Sequence, residues 1–321
     1  MTFIADKEKT KKKQIAGDSC NNPFCSVCMY RASRRDTLKV AVCMKYIEIE
    51  HEKAFIFLHL TAPNVTGDKL PDEVNRFNNG FKKMFERKNI KAISKGYIRK
   101  LEITYNGESV ITQEMWDGDS KKKKKPMADY FQKLGLKVGD LNPNYDTYHT
   151  HFHIIVAVNK SYFKSRDYIK QKKWLNIWRE AMATPEITQV FVQRVRLKNN
   201  DAIDDVESDM IAMDNGNAIN EIAKYTAKCT DYMINQDVFN TFYIALKNRQ
   251  KITYNGIFAE ANKLFKAKKL DKYKDIDEIE YIHFLFYLWD KREYVKEHER
   301  ELTDEEYDRY NEWLVDEIGV E

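Results

Sequence analysis

The alternation of apolar and polar positions divides this chain into short strands, amphipathic helices and charged connections. Residues 55–61 read as a strand, closed by Pro63 and Asn64. Residues 71–87 place Val74, Phe77, Phe81 and Phe85 at helical spacing and predict an amphipathic helix. Residues 97–105 alternate as a second strand, with Leu101 and Ile103 on one face and Lys100, Glu102 and Thr104 on the other. A third strand, 149–158, runs from His149-Thr150-His151-Phe152-His153 into an apolar tail, Ile154-Ile155-Val156-Ala157-Val158. On a fourth, 188–198, Arg194, Arg196 and Lys198 share a face. Helices are predicted over 34–50, over 165–183 with Trp174 and Trp178, and over 218–229. The rest reads as helical, including 281–289, apolar nearly all round, and an acidic helix over 304–317.

Between these elements lie a flexible basic arm (1–19), a compact cysteine segment (20–28), an acidic loop (201–216) and a long insertion (106–147). The insertion carries the lysine run 121–125 and a short helix over 127–134. Strands separated by helices in a mostly helical chain indicate an α+β fold, a central antiparallel sheet flanked by helices. Three regions follow: arm, cysteine segment and helix (1–52), the sheet core (53–235) and an acidic helical region (236–321).

Composition narrows the class. The chain has 321 residues, 43% hydrophobic and 32% charged, as a globular protein would. It has no apolar run of bilayer length and no signal-peptide stretch, so the expectation is a cytoplasmic protein with no membrane partner. Five cysteines in that setting suggest thiols or a metal site rather than disulfides. The net charge of +4 conceals an asymmetry: residues 271–321 hold 7 Lys and Arg against 18 Asp and Glu, leaving residues 1–270 at +15. A basic body suits a polyanion, although a charge run is also the ordinary composition of a solvated face.

The chemistry concentrates in the third strand. His149, His151 and His153 project from one face, and two imidazoles two residues apart on a strand can share a divalent metal. The bland alternative is polar residues on a solvated face. Pairing the strands 97–105 and 149–158 by their apolar faces puts Glu102 beside His151 and His153, giving mixed nitrogen and oxygen ligands. Glu102 could instead be an exposed strand residue paired to a lysine. His59 falls on the polar phase of its own strand and could approach the same site; His149 lies one pair further along. Cys20, Cys25 and Cys28 have ligand-like spacing for a structural zinc, with Cys43 the first choice of fourth ligand and His51 the second. On a helix over 218–229, Glu221 and Tyr225 are i,i+4, and Tyr225 and Lys228 are i,i+3. A tyrosine flanked in this way is a candidate covalent nucleophile, with Tyr232 as runner-up. Glu221 paired with Lys224 or Lys228 on a helix surface is the plainer reading.

Taken together, His151-Phe152-His153 with its apolar tail and Tyr225-Thr226-Ala227-Lys228 resemble the paired motifs of HUH endonucleases. More narrowly, the chain resembles the replication initiator (Rep) proteins of small rolling-circle plasmids of the Gram-positive type. The resemblance extends from Cys20 to about Tyr294 and includes Gly96-Tyr97-Ile98-Arg99, Asn159-Lys160-Ser161-Tyr162-Phe163 and Glu221-x3-Tyr225. Thr150 stands where the family often has proline, and His59 where threonine is usual.

The resemblance implies an HUH core that nicks one DNA strand at a plasmid origin. His151, His153 and Glu102 would hold Mn²⁺ or Mg²⁺, and Tyr225 would form a 5′-phosphotyrosine. Lys228 would position the phosphate or assist the tyrosine, and Glu221 would activate water at termination. It also implies a hairpin or single-stranded nick site, a host helicase and polymerase as partners, and a homodimer as one assembly. Arg194, Arg196 and Lys198 are candidate DNA contacts. A non-catalytic zinc-dependent DNA-binding regulator, a hydrolase of small phosphate esters and an HUH transposase or relaxase are the competing classes.

Overall fold

The computed structural model describes residues 1–10, 12–17, 20, 22–118, 126–196, 212–224, 226–274, 283–290 and 293–311. In chain order these form β1 (Thr2–Ala5), β2 (Lys12–Ala16), α1 (Ser26–His51), β3 (Lys53–Thr61), α2 (Leu70–Phe85), α3 (Lys88–Ile93), β4 (Gly96–Asn106), α4 (Gln113–Asp117), α5 (Ala128–Lys133), β5 (Thr147–Asn159), α6 (Gln171–Met182), β6 (Val190–Arg196), β7 (Ala212–Asp214), α7 (Asn215–Ala223), α8 (Cys229–Tyr232), α9 (Gln236–Leu246), β8 (Ile252–Gly256), α10 (Ile257–Lys266), β9 (His283–Asp290), β10 (Glu293–Glu301) and α11 (Asp304–Asn311). The fold is α+β, as the patterning predicts. No helix among the described residues is long and apolar enough to cross a membrane. The chain divides into two compact units that do not follow its linear order: residues 1–53, 219–225 and 254–321 form one, and 54–218 with 226–253 the other.

The second unit is built on a six-stranded sheet of order β7-β6-β3-β5-β4-β8. β4 and β5 are antiparallel over their full lengths, from Gly96 opposite Ala157 to Asn106 opposite Thr147. α2 and α6 cover one face. α2 has Pro71 in its first turn, acidic Asp72 and Glu73 at its amino end and Lys82 and Lys83 near its carboxyl end, all favourable to a helix there. Its Phe77 and Phe81 pack edge-on against Phe152 of β5, and Phe77 also meets Trp178 of α6. The Trp178 indole N–H donates to the Thr61 carbonyl at 2.8 Å, so the largest side chain of this layer is both packed and satisfied. Arg99 lies between the Phe81 and Phe152 rings, 4.6 and 4.5 Å from their centroids. α6 begins at Gln171 rather than 165; a 3-10 turn over Lys160–Lys164 occupies the preceding segment.

The insertion has a built base. Val110 bridges to Leu141, and the buried Asn142 amide donates to the Glu108 carbonyl and to Asn106 Oδ1 at 2.7 and 3.2 Å. Its lysine run, 121–125, lies outside the described residues.

The first unit departs from the sequence reading in three places. The amino-terminal arm is a hairpin: β1 pairs with β2 on one side and β9 on the other, in a sheet of order β10-β9-β1-β2. Residues 283–290, expected within a buried helix, form strand β9. Periodicity does not separate a short, wholly apolar run in a strand from one in a helix, and a run this rich in aromatics is well suited to a sheet with a partner. β10 closes that sheet with a strongly charged sequence, which suits an outer strand. Last, α1 starts at Ser26 rather than 34, placing Cys28 in its first turn, and it ends where Glu52 takes a left-handed conformation (φ 52°).

Candidate metal centre

Strand pairing assembles the site. In the β4–β5 register Glu102 faces His151, Lys100 faces His153 and Thr104 faces His149, so these side chains leave one face of the sheet. Phe152 and Ile154 leave the other, under α2 and α6. Glu102 Oε2 lies 2.7 Å from His153 Nε2 and 3.1 Å from His151 Nε2. All three residues are buried, at 5–7% exposure. β3 adds His59, whose ring stacks on His153 with centroids 4.7 Å apart and meets His151 edge-on at 5.0 Å. His149 sits at the margin: its Nε2 hydrogen-bonds the Thr61 hydroxyl, and its ring is 5.2 Å from that of His151.

Burial sets the charge states. Burial alone would raise the Glu102 carboxyl, but the hydrogen bonds to His151 and His153 hold it well below the usual carboxylate range. His59 is pulled down to about 2, first by burial and then by the neighbouring His153 and His151. His149 falls to about 4, by burial and then His151. The site therefore presents an ionised carboxylate together with His59 and His149 as neutral imidazoles, the forms that ligate metals.

These residues fit a divalent ion. One ligand atom each from His59, His151 and His153 lies within 4.8 Å of the others. His59 Nε2 and His151 Nδ1 are buried without a hydrogen-bond partner among the described residues, a costly arrangement for a polar atom in the absence of a ligand. Nitrogen and carboxylate donors together suit Mn²⁺ or Zn²⁺, and Mg²⁺ less well.

Around this cluster lie groups that sequence reasoning passed over. Lys100 is on the histidine face, and the parity of strand 97–105 already placed it with Glu102. Asp231, on α8, accepts the Tyr105 backbone N–H at 3.4 Å; its carboxyl is raised, by burial and also by the nearby Glu102 charge.

The helix expected over 218–229 is interrupted. α7 ends at Ala223, and α8 begins at Cys229. Between them the Thr226 carbonyl accepts a hydrogen bond from the backbone N–H of Ile103 at 2.8 Å, so it is committed to β4 instead of a helical ladder. Lys228 thus lies beyond the end of the helix that carries Glu221, and it is exposed. The shared-face spacing from Glu221 through Tyr225 to Lys228 does not hold, and Tyr225 itself lies outside the described residues. Glu221 forms an ion pair with Lys224. Tyr232, the alternative nucleophile, is 1% exposed and packs against Phe239 and Phe242, as a core residue does.

Arg194 and Arg196 share a strand face, but not the histidine face. Phe191 opposes His59 in the β3–β6 register, so Arg194, three residues on, has the opposite parity. Its guanidinium sits 4.4 Å from the Phe163 ring centroid. Lys198 lies outside the described residues.

The cysteine segment forms a second cluster. The Sγ atoms of Cys20, Cys25 and Cys28 lie within 4.8 Å of one another, with Cys20 and Cys28 at 3.4 Å. Cys43 is not part of it. Cys28 and Cys43 belong to the same continuous helix, and their 15-residue separation spans about 22 Å at 1.5 Å per residue. His51, two turns further, is more distant still, and its Nε2 is 3.3 Å from the Tyr46 hydroxyl.

Comparison with known proteins agrees with the motifs. A family profile described as "Replication protein" (Rep_1) matches residues 11–295. The chain is 39% identical over 237 residues to a protein named "Protein rep" from Staphylococcus aureus, covering 74% of this chain and 81% of that one. It is 32% identical over 275 residues to a "Protein rep" from a Bacillus species (82% and 76% covered). A third "Protein rep", from Bacillus amyloliquefaciens, is 31% identical over 275 residues (82% and 69%). No solved structure matches to the same standard.

Proposed function

The chain belongs to the replication protein (Rep) family, and from that premise we propose that it initiates rolling-circle replication of a plasmid by nicking one strand of the origin. The observation that carries the reading is the convergence of Glu102, His151 and His153 on one face of β4 and β5, with His59 stacked beside them. A divalent ion held there, Mn²⁺ or Mg²⁺, would supply electrostatic stabilisation at the scissile phosphate. Glu102 and the imidazoles fix the ligand geometry through sheet register. Tyr225 is the proposed nucleophile. Its phenolic oxygen bonds to phosphorus, the bond from phosphorus to the 3′-oxygen breaks, and that oxygen takes up a proton to become the primer hydroxyl. The bond between Thr226 and Ile103 supports this assignment, because it ties the residue after Tyr225 to the residue after Glu102. The bond energy is retained in the phosphotyrosine, so rejoining needs no ATP. Glu221 is proposed to activate water for the terminating cleavage. Cys20, Cys25 and Cys28 are proposed to bind structural Zn²⁺, with a fourth ligand other than Cys43.

The test is covalent capture. Protein, Mn²⁺ and a single-stranded origin oligonucleotide should give an adduct stable to SDS, lost in Tyr225→Phe. A regulator without catalysis, or a phosphate-ester hydrolase, gives none, and an adduct that persists in Tyr225→Phe moves the nucleophile elsewhere.

A further inference from the structure

We propose that Lys100 and Lys251 form a phosphodiester-binding pair beside the histidine cluster, holding single-stranded DNA through a non-bridging phosphate oxygen; the inference rests on the nicking reading above. Lys100 is opposite His153 in the β4–β5 register and two residues from Glu102, so it leaves the sheet on the histidine face. It is only 6% exposed, and lysines are rarely so buried. On the other edge of β4, the Leu101 N–H donates to the Lys251 carbonyl at 3.0 Å, which seats Lys251 next to Lys100. The proximity is felt: the Lys251 ammonium is disfavoured first by burial and then by the Lys100 charge.

Two ammonium groups brought together in a partly desolvated position oppose each other, and the acidic groups nearby have other work. Glu102 Oε2 accepts from two imidazoles, and Asp231 accepts the Tyr105 N–H. An anion entering from outside resolves the like-charge contact, and a phosphodiester brings one negative charge shared over two oxygens. The pair lies on the same face as the ligands for the ion, so one DNA phosphate is held where the chemistry is proposed to occur. This assigns ground-state binding to two lysines, apart from the exposed Lys228.

Fluorescence anisotropy on the full chain tests the pair in EDTA, using a labelled single-stranded origin oligonucleotide across a salt series. Lys100→Met and Lys251→Met should each weaken binding about 3- to 10-fold and flatten the dependence of log K on log salt by about 0.7, the loss of one phosphate contact on a single strand. Lys100→Arg, which keeps the charge, should bind within about twofold of wild type. Unchanged affinity and slope in both methionine variants overturn the pair and leave the nicking reading intact. If Lys100→Met does not fold, Lys251→Met decides, and an unchanged slope there has the same consequence. A wild-type protein that neither binds the oligonucleotide nor forms the covalent adduct overturns the nicking reading itself.

Discussion

The histidine cluster and the cysteine cluster each bring together three metal-ligating side chains, but they are held in different ways. The histidines stand on adjacent strands of a six-stranded sheet, where register fixes which residues meet and burial keeps water out. The cysteines stand on a short loop and the first turn of α1, near the surface. A sheet places ligands to within the tolerance of its hydrogen-bond ladder before any ion arrives. A loop at a helix end is organised in large part by the ion. The first arrangement suits chemistry, which needs ligands in place and a position left for substrate; the second suits a structural clasp.

The largest test of that contrast is to remove one ligand from each. Glu102→Ala strips away an oxygen donor and the shared partner of two imidazoles. Nicking is expected to fall about 10³-fold, corresponding to about 4 kcal/mol of transition-state stabilisation, while circular dichroism shows a folded sheet. A Glu102→Ala protein that nicks within tenfold of wild type would place the chemistry away from the sheet. Cys25→Ser should do the reverse, with adduct formation retained by the folded protein and zinc content falling from about one equivalent towards none.

A smaller effect sharpens the cysteine side. Because the single helix α1 separates Cys43 from Cys28 by about 22 Å, Cys43→Ala should leave zinc uptake unchanged. Its cost should be about 1 kcal/mol in urea unfolding, from lost packing at a fully buried site. Zinc lost on Cys43→Ala alone would return Cys43 to the ligand set and require α1 to be broken.

The same contrast explains what could be read in advance. Glu102 was legible because strand side chains alternate with period two, so two apolar stripes suffice to align β4 with β5. Lys100 carried the same parity and was passed over only because a lysine on a strand reads as a solvated residue. The face of Arg194 and Arg196 could not be read, because it depends on Phe191 meeting His59 across strands more than a hundred residues apart. Cys43 was misassigned because spacing was read without helix length. Residues 283–290 were misread because their partner, β1, comes from the other end of the chain, and local periodicity carries no trace of it. The break after Ala223 has a similar origin, in a tertiary bond from Thr226 to Ile103.

The smallest expected effect concerns how Cys43 is buried. Burial pushes its thiol up to about 12, with the Lys39 charge opposing only in part. The folded state therefore keeps a proton that the unfolded chain releases near pH 8.5. Stability from this source is whole below that pH and is lost as pH rises from there toward 12, at about 1.4 kcal/mol per pH unit. In Cys43→Ala the contribution is gone, while other titrating groups common to both proteins cancel to first order. The variant's deficit of about 1 kcal/mol at pH 8 should therefore shrink or reverse by pH 10, measured by urea unfolding of the two proteins side by side. A deficit equal at both pH values means that the thiol ionises freely in the folded state, and that the middle of α1 is as open to solvent as its cysteine-bearing end.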